Sequence, residues 1–168
     1  PLHFSKGRVF SLRLKGLAAD LGSRFDEAAG YYLQSLEEAR RLGVRRYEIS
    51  ALSDLAILYF NIKQPQKSLD FYLQCLPLVR KAGDISMKLS TYNNLAVIYT
   101  QLGKYDSALA LLNESLSYEK IYGPEIDFTG TYNNLGHLFY VKKEYRAALP
   151  YFNHNLRVHS RDSTNPDL

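Results

Sequence analysis

Five consecutive residues, Thr91-Tyr92-Asn93-Asn94-Leu95, return forty positions later as Thr131-Tyr132-Asn133-Asn134-Leu135. A small residue follows in both copies (Ala96, Gly136), and three positions further on comes an aromatic (Tyr99, Phe139). Self-similarity at a fixed distance constrains a fold more than composition does. Each copy must be one supersecondary unit that buries its apolar face by stacking on its neighbour. Gly43, Gly83 and Gly123 keep the same step of 40, each after a helix-like stretch and before a short break. Glycine just past a helix end is the expected residue there. Ala28, Ser68, Ala108 and Ala148 keep the step too, and each closes a short inner joint that opens a second helix.

The joints divide the chain into four helix–turn–helix units. Helix A is expected at about 8–22, 46–62, 86–102 and 126–142, and helix B at about 25–42, 65–82, 105–122 and 145–160. Leu52, Leu55, Ala56 and Tyr59 have the i, i+3, i+4, i+7 spacing of one helical face, as do Tyr92, Leu95, Ala96 and Tyr99. Tyr132, Leu135, Gly136 and Phe139 repeat it, and Leu12, Lys15, Gly16 and Ala19 form a weaker first copy. Helix B is expected to bury Leu69, Tyr72 and Leu76, then Leu109, Leu112 and Leu116, then Leu149, Phe152 and Leu156.

This pattern resembles the tetratricopeptide repeat family, which runs aromatic, two residues, Leu-Gly, two residues, Tyr, then Ala and Phe in helix B. The third copy matches with Tyr92, Leu95, Ala96, Tyr99, Gly103, Tyr105, Ala108 and Leu112. The fourth matches with Tyr132, Leu135, Gly136, Phe139, Tyr145, Ala148 and Phe152, and the second with Leu52, Leu55, Ala56, Tyr59, Ser68 and Tyr72. The likeness covers about residues 8–160. The period is 40 where the family's usual period is about 34. Long-period members of this look occur among kinesin light chains and bacterial signalling proteins. The family proline at the end of helix B is missing at Arg80 and Lys120, so helix B is expected to run on to its glycine.

The resemblance implies an all-α fold, a right-handed α-solenoid of four repeats at about 8–43, 46–83, 86–123 and 126–160. One array would occupy 1–160, with 161–168 a disordered tail or linker. It also implies a concave groove lined by the A helices, binding a protein segment or peptide without catalysis. Helix A residues off the core would face that groove: Arg13, Leu17 and Asp20; Ser53, Asp54, Ile57 and Phe60; Asn93, Asn94, Val97 and Thr100; Asn133, Asn134, His137 and Tyr140. The paired asparagines stand out because Asn is a poor helix former, about 0.6–0.7 kcal/mol worse than Ala. Two in the middle of a helix, twice, call for compensating contacts. An Asn amide can hold the backbone of an extended peptide through its two donors and one acceptor. In family members, Asn at the positions of Asn94 and Asn134 commonly does this. A ladder of amides between neighbouring A helices is the competing reading. Asp54 and Arg13 would bias the groove by charge, and Ile57, Phe60 and Tyr140 would grip an apolar side chain. Arg13 is the only cation on this face, so a clamp for a C-terminal carboxylate is not expected.

Other readings find less support. An apolar fraction of 46% with 23% charged residues is globular. The longest apolar run, 55–60, is far short of the roughly 20 residues of a membrane span, so no membrane contact is expected. The net charge is +4, and the basic clusters (Arg40, Arg41, Arg45 and Arg46; Lys142, Lys143 and Arg146) lie around turns rather than along one face. No nucleic-acid partner follows from that distribution. Cys75 is the single cysteine, expected to be buried, which fits the cytoplasm; the periplasm is the alternative if the parent is a membrane-anchored sensor. His154 and His159 are five apart and do not share a helical face, so neither a metal nor another cofactor is expected. With no phosphate-cradling glycine loop, nucleophile elbow or zinc-ligand spacing, the chain does not read as an enzyme. It opens on Pro1 rather than Met and is expected to be a segment of a longer protein. Two alternatives to peptide binding stand beside it. One is a sensory or regulatory segment of a bacterial sensor histidine kinase or transcription regulator. The other is a homo-oligomeric scaffold that self-associates end to end.

Overall fold

The computed structural model describes the backbone of residues 2–162 and the side chains of 6–157 except 124. Residues 163–168 of the expected tail lie outside the described residues, whereas Asp162 closes the last helix. The described chain is all-α. Helices α1 (Leu2–Leu21) and α2 (Phe25–Leu42) form the first helix pair, and α3 (Arg45–Asn61) and α4 (Pro65–Arg80) the second. Helices α5 (Ile85–Gln101) and α6 (Tyr105–Ser117) follow. A short α7 (Glu119–Tyr122) and a 3-10 turn (Gly123–Glu125) then lead to α8 (Thr129–Val141) and α9 (Tyr145–Asp162).

Contacts gather into two compact units, Pro1–Thr91 and Tyr92–Leu168, with the boundary inside α5. In the first unit, α1 packs on α2, and α3 packs on both α2 and α4. Its core holds Val9, Tyr32, Leu36, Ile49, Leu52, Leu55, Leu58, Leu69 and Tyr72. In the second unit, Ala96, Ala108, Leu112, Leu135 and Leu138 form the buried cluster, with Tyr99, Leu109, Leu116, Phe139 and Tyr151 packed around it. Most of these are the residues picked out by the helical spacing.

The inner joints share one geometry. At each, the first N–H after the turn bonds three residues back and the next bonds five back. Ser23 donates to Asp20 O and Arg24 to Ala19 O; Lys143 donates to Tyr140 O and Glu144 to Phe139 O. This pair of hydrogen bonds satisfies carbonyls that a helix end would otherwise leave unpaired, and it needs one residue in the left-handed conformation. Gly103 takes it at φ 71, but Ser23, Lys63 and Lys143 take it at φ 58, 61 and 63. Small residues also matter where helices of one pair touch. A Cβ on Gly136 would lie 2.6 Å from the Phe152 ring, so with Phe152 where it is the position takes glycine.

Several expectations fail, each for a physical reason. Helix α1 starts at Leu2, not near 8. Helix α4 ends at Arg80 and α6 at Ser117, so neither runs to its glycine. Ser115 Oγ back-bonds to Leu111 O and Ser117 Oγ to Glu114 O at 2.6 Å. Such bonds compete with the helical ladder, and Tyr118 caps the end. Helix α8 starts at Thr129 rather than 126. Ile126 is extended, and the Asp127 carboxylate accepts the Thr129 N–H at 2.8 Å. Leu149 and Leu156 are 58% and 68% exposed, not buried, because no helix covers that face of α9 among the described residues. Thr100 is buried and bonds Ala96 O at 2.8 Å, so it does not face a groove.

Candidate functional site

In the first unit, Arg13 on α1 and Asp54 on α3 meet. Arg13 Nη2 donates to Asp54 Oδ1 at 3.1 Å and Nε donates to Oδ2. The side chains are 32% and 20% exposed. The hydrogen bond to Asp54 raises the Arg13 pKa beyond its ordinary value, against the lowering effect of burial. Burial, and then the Asp54 charge, push Tyr32 up to about 12. Arg13 and Asp54 were expected as separate charges on a groove; they form one neutral, bidentate pair. Ser53 lies 3.7 Å from the sulfur of buried Cys75, whose thiol pKa is raised by burial. Ile57 is exposed and Phe60 half-buried. Phe10, Leu14, Leu17 and Leu21 make an exposed stripe on α1. A shallow cavity of about 130 Å³ is lined by Phe10, Arg13, Leu14, Leu17, Tyr32 and Asp54. Of that stripe only Leu17 was expected at a ligand face; the 4-3-4 spacing of its apolar residues was the available signal.

In the second unit the asparagines do build contacts between elements. Asn134 Nδ2 on α8 donates to the Asn93 carbonyl on α5 at 3.3 Å. Asn155 Nδ2 on α9 donates to Asn133 Oδ1 at 2.6 Å and to Thr129 O at 3.1 Å. Asn93 Oδ1 is buried with no hydrogen-bond partner among the described residues. Asn94 and Val97 are half-buried, while Asn133, His137 and Tyr140 are exposed. Tyr140 packs at a tilt on Tyr145, with ring centres 5.5 Å apart. His154, weighed as a metal ligand, stacks instead on Tyr132 at 3.6 Å. The Tyr132 hydroxyl donates to Glu119 at 2.7 Å. Burial, then Glu119, push the Tyr132 pKa up to about 12.

Asn155 was missed, although its signal is periodic. Ser35, Cys75, Ser115 and Asn155 are 40 apart. Ser35 bonds Val9 O, Cys75 bonds Ile49 O and Asn155 bonds Thr129 O, always 26 residues back in helix A of the same pair. In three of the four pairs the polar residue at that position ties helix B to helix A, whereas Ser115 bonds Leu111 O within α6.

The basic clusters are largely engaged. Arg40 pairs with Glu48 at 2.9 Å, Arg41 with Glu38 at 2.8 Å and Lys142 with Glu144 at 2.8 Å. Among the described residues, no group of three or more His, Cys, Asp or Glu side chains could hold a metal. Nor is any described helix long and apolar enough to cross a membrane.

Residues 47–120 match the tetratricopeptide repeat family. Over that stretch the chain is similar to tetratricopeptide repeats. Solved structures extend the likeness in fold. BtubC (BKLC) from P. vanneervenii is 18% identical with a TM-score of 0.81, covering 95% of this chain and 66% of that one. A kinesin light chain candidate from Podosopora anserina with nearly identical TPR-like repeats is 16% identical with a TM-score of 0.77. That match covers 94% of this chain and 77% of the other. MamA is 16% identical with a TM-score of 0.53, covering 96% and 97%. No curated protein sequence matches this one. The fold class is therefore an all-α solenoid of tetratricopeptide-like helix pairs, and repeats of this family generally mediate protein–protein interaction.

Proposed function

We propose that the face of α5 and α8 in the second unit binds an extended segment of a partner protein, as a non-catalytic interaction module. The observation that carries this reading is the Asn134–Asn93 bond. It joins α5 to α8, and Asn133, His137 and Tyr140 are exposed on α8. Amides at this spacing can exchange hydrogen bonds with a ligand backbone. Asn93 Oδ1, buried without a partner among the described residues, is an acceptor left unused beside these amides. Tyr140 and Val97 supply apolar contact beside the amides. In the first unit, Ile57 and Phe60 give apolar contact of the same kind, flanked by Ser53 and the neutral Arg13–Asp54 pair. The setting that fits a lone, buried cysteine is the cytoplasm.

A library of unstructured peptides selected on this chain tests the reading. For a selected peptide, Asn94→Ala with Asn133→Ala is expected to weaken binding by roughly tenfold, about 1.4 kcal/mol. N-methylation of the peptide's own central amides should cost as much. Affinity unchanged by both, with helicity intact, overturns the proposal.

A further inference from the structure

The cavity of about 130 Å³ in the first unit is apolar on one side and polar on the other. Phe10, Leu14 and Leu17 line it from α1, together with Arg13, Tyr32 of α2 and Asp54 of α3. Tyr32 is only 4% exposed, yet its hydroxyl forms no hydrogen bond among the described residues. A buried polar group is normally paired, so an open hydroxyl at a cavity wall points to an occupant. Gly16 gives the ring its room, since a Cβ there would lie 2.5 Å from it. Tyr72, Leu112 and Phe152 hold the same repeat position as Tyr32, and Ser53, Asn93 and Asn133 that of Arg13. Only the first helix pair has both a phenol and a guanidinium there. This side of helix A also stays open in a pair with a neighbour before it. Ile57, the counterpart of Leu17, is 43% exposed behind α1, against 47% for Leu17.

Hydrogen bonding and charge select the occupant. Arg13 engages Asp54 through Nε and Nη2, which leaves Nη1 to donate elsewhere, and the Asp54 oxygens keep acceptor capacity. Burial first, then the charges of Asp54 and Asp20, push Tyr32 up to about 12, so its hydroxyl keeps its proton and can donate a hydrogen bond. The Arg13–Asp54 pair is neutral as a whole. A carboxylate entering the cavity would meet Asp54, and an ammonium would meet Arg13; like charges in contact are unfavourable. A neutral tip that both accepts and donates suits the polar side. A short apolar stem suits Leu14 and Leu17. The side chain of glutamine has that stem and that tip.

We infer that this cavity takes a glutamine side chain of a bound protein segment, its carbonyl accepting from the Tyr32 hydroxyl and Arg13 Nη1 and its amide nitrogen donating to Asp54. The inference rests on the reading that the chain binds a protein segment, but it uses the first unit and none of the asparagines of the second. Propionamide is that side chain without the peptide. Titrated into the whole chain and followed by NMR, it should shift the signals of Leu14, Leu17 and Tyr32 and saturate. Propionate and propylamine, of the same size but charged, should bind about tenfold more weakly. Tyr32→Phe removes a hydroxyl that holds nothing in the fold, so the variant should melt as the parent does. It should weaken propionamide about fivefold, the worth of one neutral hydrogen bond. Propionate or propylamine binding as tightly as propionamide overturns the inference, as does an affinity unchanged by Tyr32→Phe or a titration without saturation. No peptide is involved, so each of those results leaves the asparagine reading standing. Conversely, selected peptides that ignore Asn94→Ala with Asn133→Ala but lose affinity on Tyr32→Phe would overturn that reading alone.

Discussion

Arg13 and Asp54 in the first unit, and Asn93 and Asn134 in the second, are each separated by 41 residues. Both contacts join successive A helices in the same register. The first uses a bidentate ion pair and the second an amide donating to a backbone carbonyl. The repeat therefore specifies where neighbouring A helices touch but leaves open the chemistry of the touch. An ion pair at that spot is self-satisfied and leaves an apolar rim of Phe10, Leu14 and Leu17. The amide version leaves unused hydrogen-bonding capacity beside exposed Asn133 and His137. One unit offers grease and the other offers amides.

A close approach common to both units is the reference against which this difference can be measured. A Cβ on Gly16 would meet Tyr32 at 2.5 Å, as one on Gly136 would meet Phe152 at 2.6 Å. Gly136→Ala and Gly16→Ala should each destabilise by about 1–3 kcal/mol through overpacking. Hydrogen exchange read separately over residues 2–91 and 92–162 should report each loss mainly in its own unit. Equal losses in both regions from one substitution would mean the units unfold together, and the comparison would have to be made on the chain as a whole.

The ion pair comes next in size. Asp54→Ala leaves Arg13 partly buried without its partner. The cost is expected between that of exposed and fully buried pairs, about 1–2 kcal/mol. Part of the wild-type advantage should fade at high salt. A double-mutant cycle with Arg13→Ala isolates the coupling, and a coupling near zero would break the contrast between the units.

How much of this was legible beforehand follows from what a period can encode. The joints, much of the core of the second and third helix pairs and the all-α class came from spacings of 40 and of 3–4, which are local, whereas Val9, Tyr32 and Leu36 of the first pair were not picked out. Of the 41-residue contacts, Asn134–Asn93 was legible as the amide ladder between A helices, but Arg13–Asp54 was not, because it depends on which side of one A helix meets the next. Arg13 and Asp54 each looked like a lone charge on a groove for that reason. Leu149 and Leu156 have the same spacing as Leu109 and Leu116, so periodicity alone could not tell a covered stripe from an uncovered one. The early end of α6 had a signal in Ser115, Ser117 and Gly123-Pro124, outweighed by the expectation that helix B runs to its glycine.

The joints offer a smaller test with opposite signs. Gly103 and Lys143 hold equivalent left-handed positions, at φ 71 and 63. Lys143→Gly should stabilise the second unit by about 1 kcal/mol, since it removes the Cβ clash of that conformation, less the entropy glycine loses on folding. Gly103→Lys should cost a similar amount. In the first unit Lys63→Gly is the matching change. Thermal melts that ranked all three alike would show that φ strain is absorbed elsewhere in the turn.

The smallest effect bears most directly on the amide contact. Asn134→Ala removes one hydrogen bond, worth about 1 kcal/mol net. It also replaces a poor helix former with the best one, which offsets about 0.6–0.7 kcal/mol of that. The difference is a loss of only about 0.3–0.4 kcal/mol, insensitive to salt, where loss of the Arg13–Asp54 pair is larger and salt-sensitive. A loss well above about 1 kcal/mol would mean that the Asn134–Asn93 and Asn155–Asn133 bonds reinforce one another as a network. The asparagine pairs would then owe their place in the helix to stability. A loss as small as expected leaves stability too weak a reason for two asparagines in mid-helix, and moves the explanation towards a ligand.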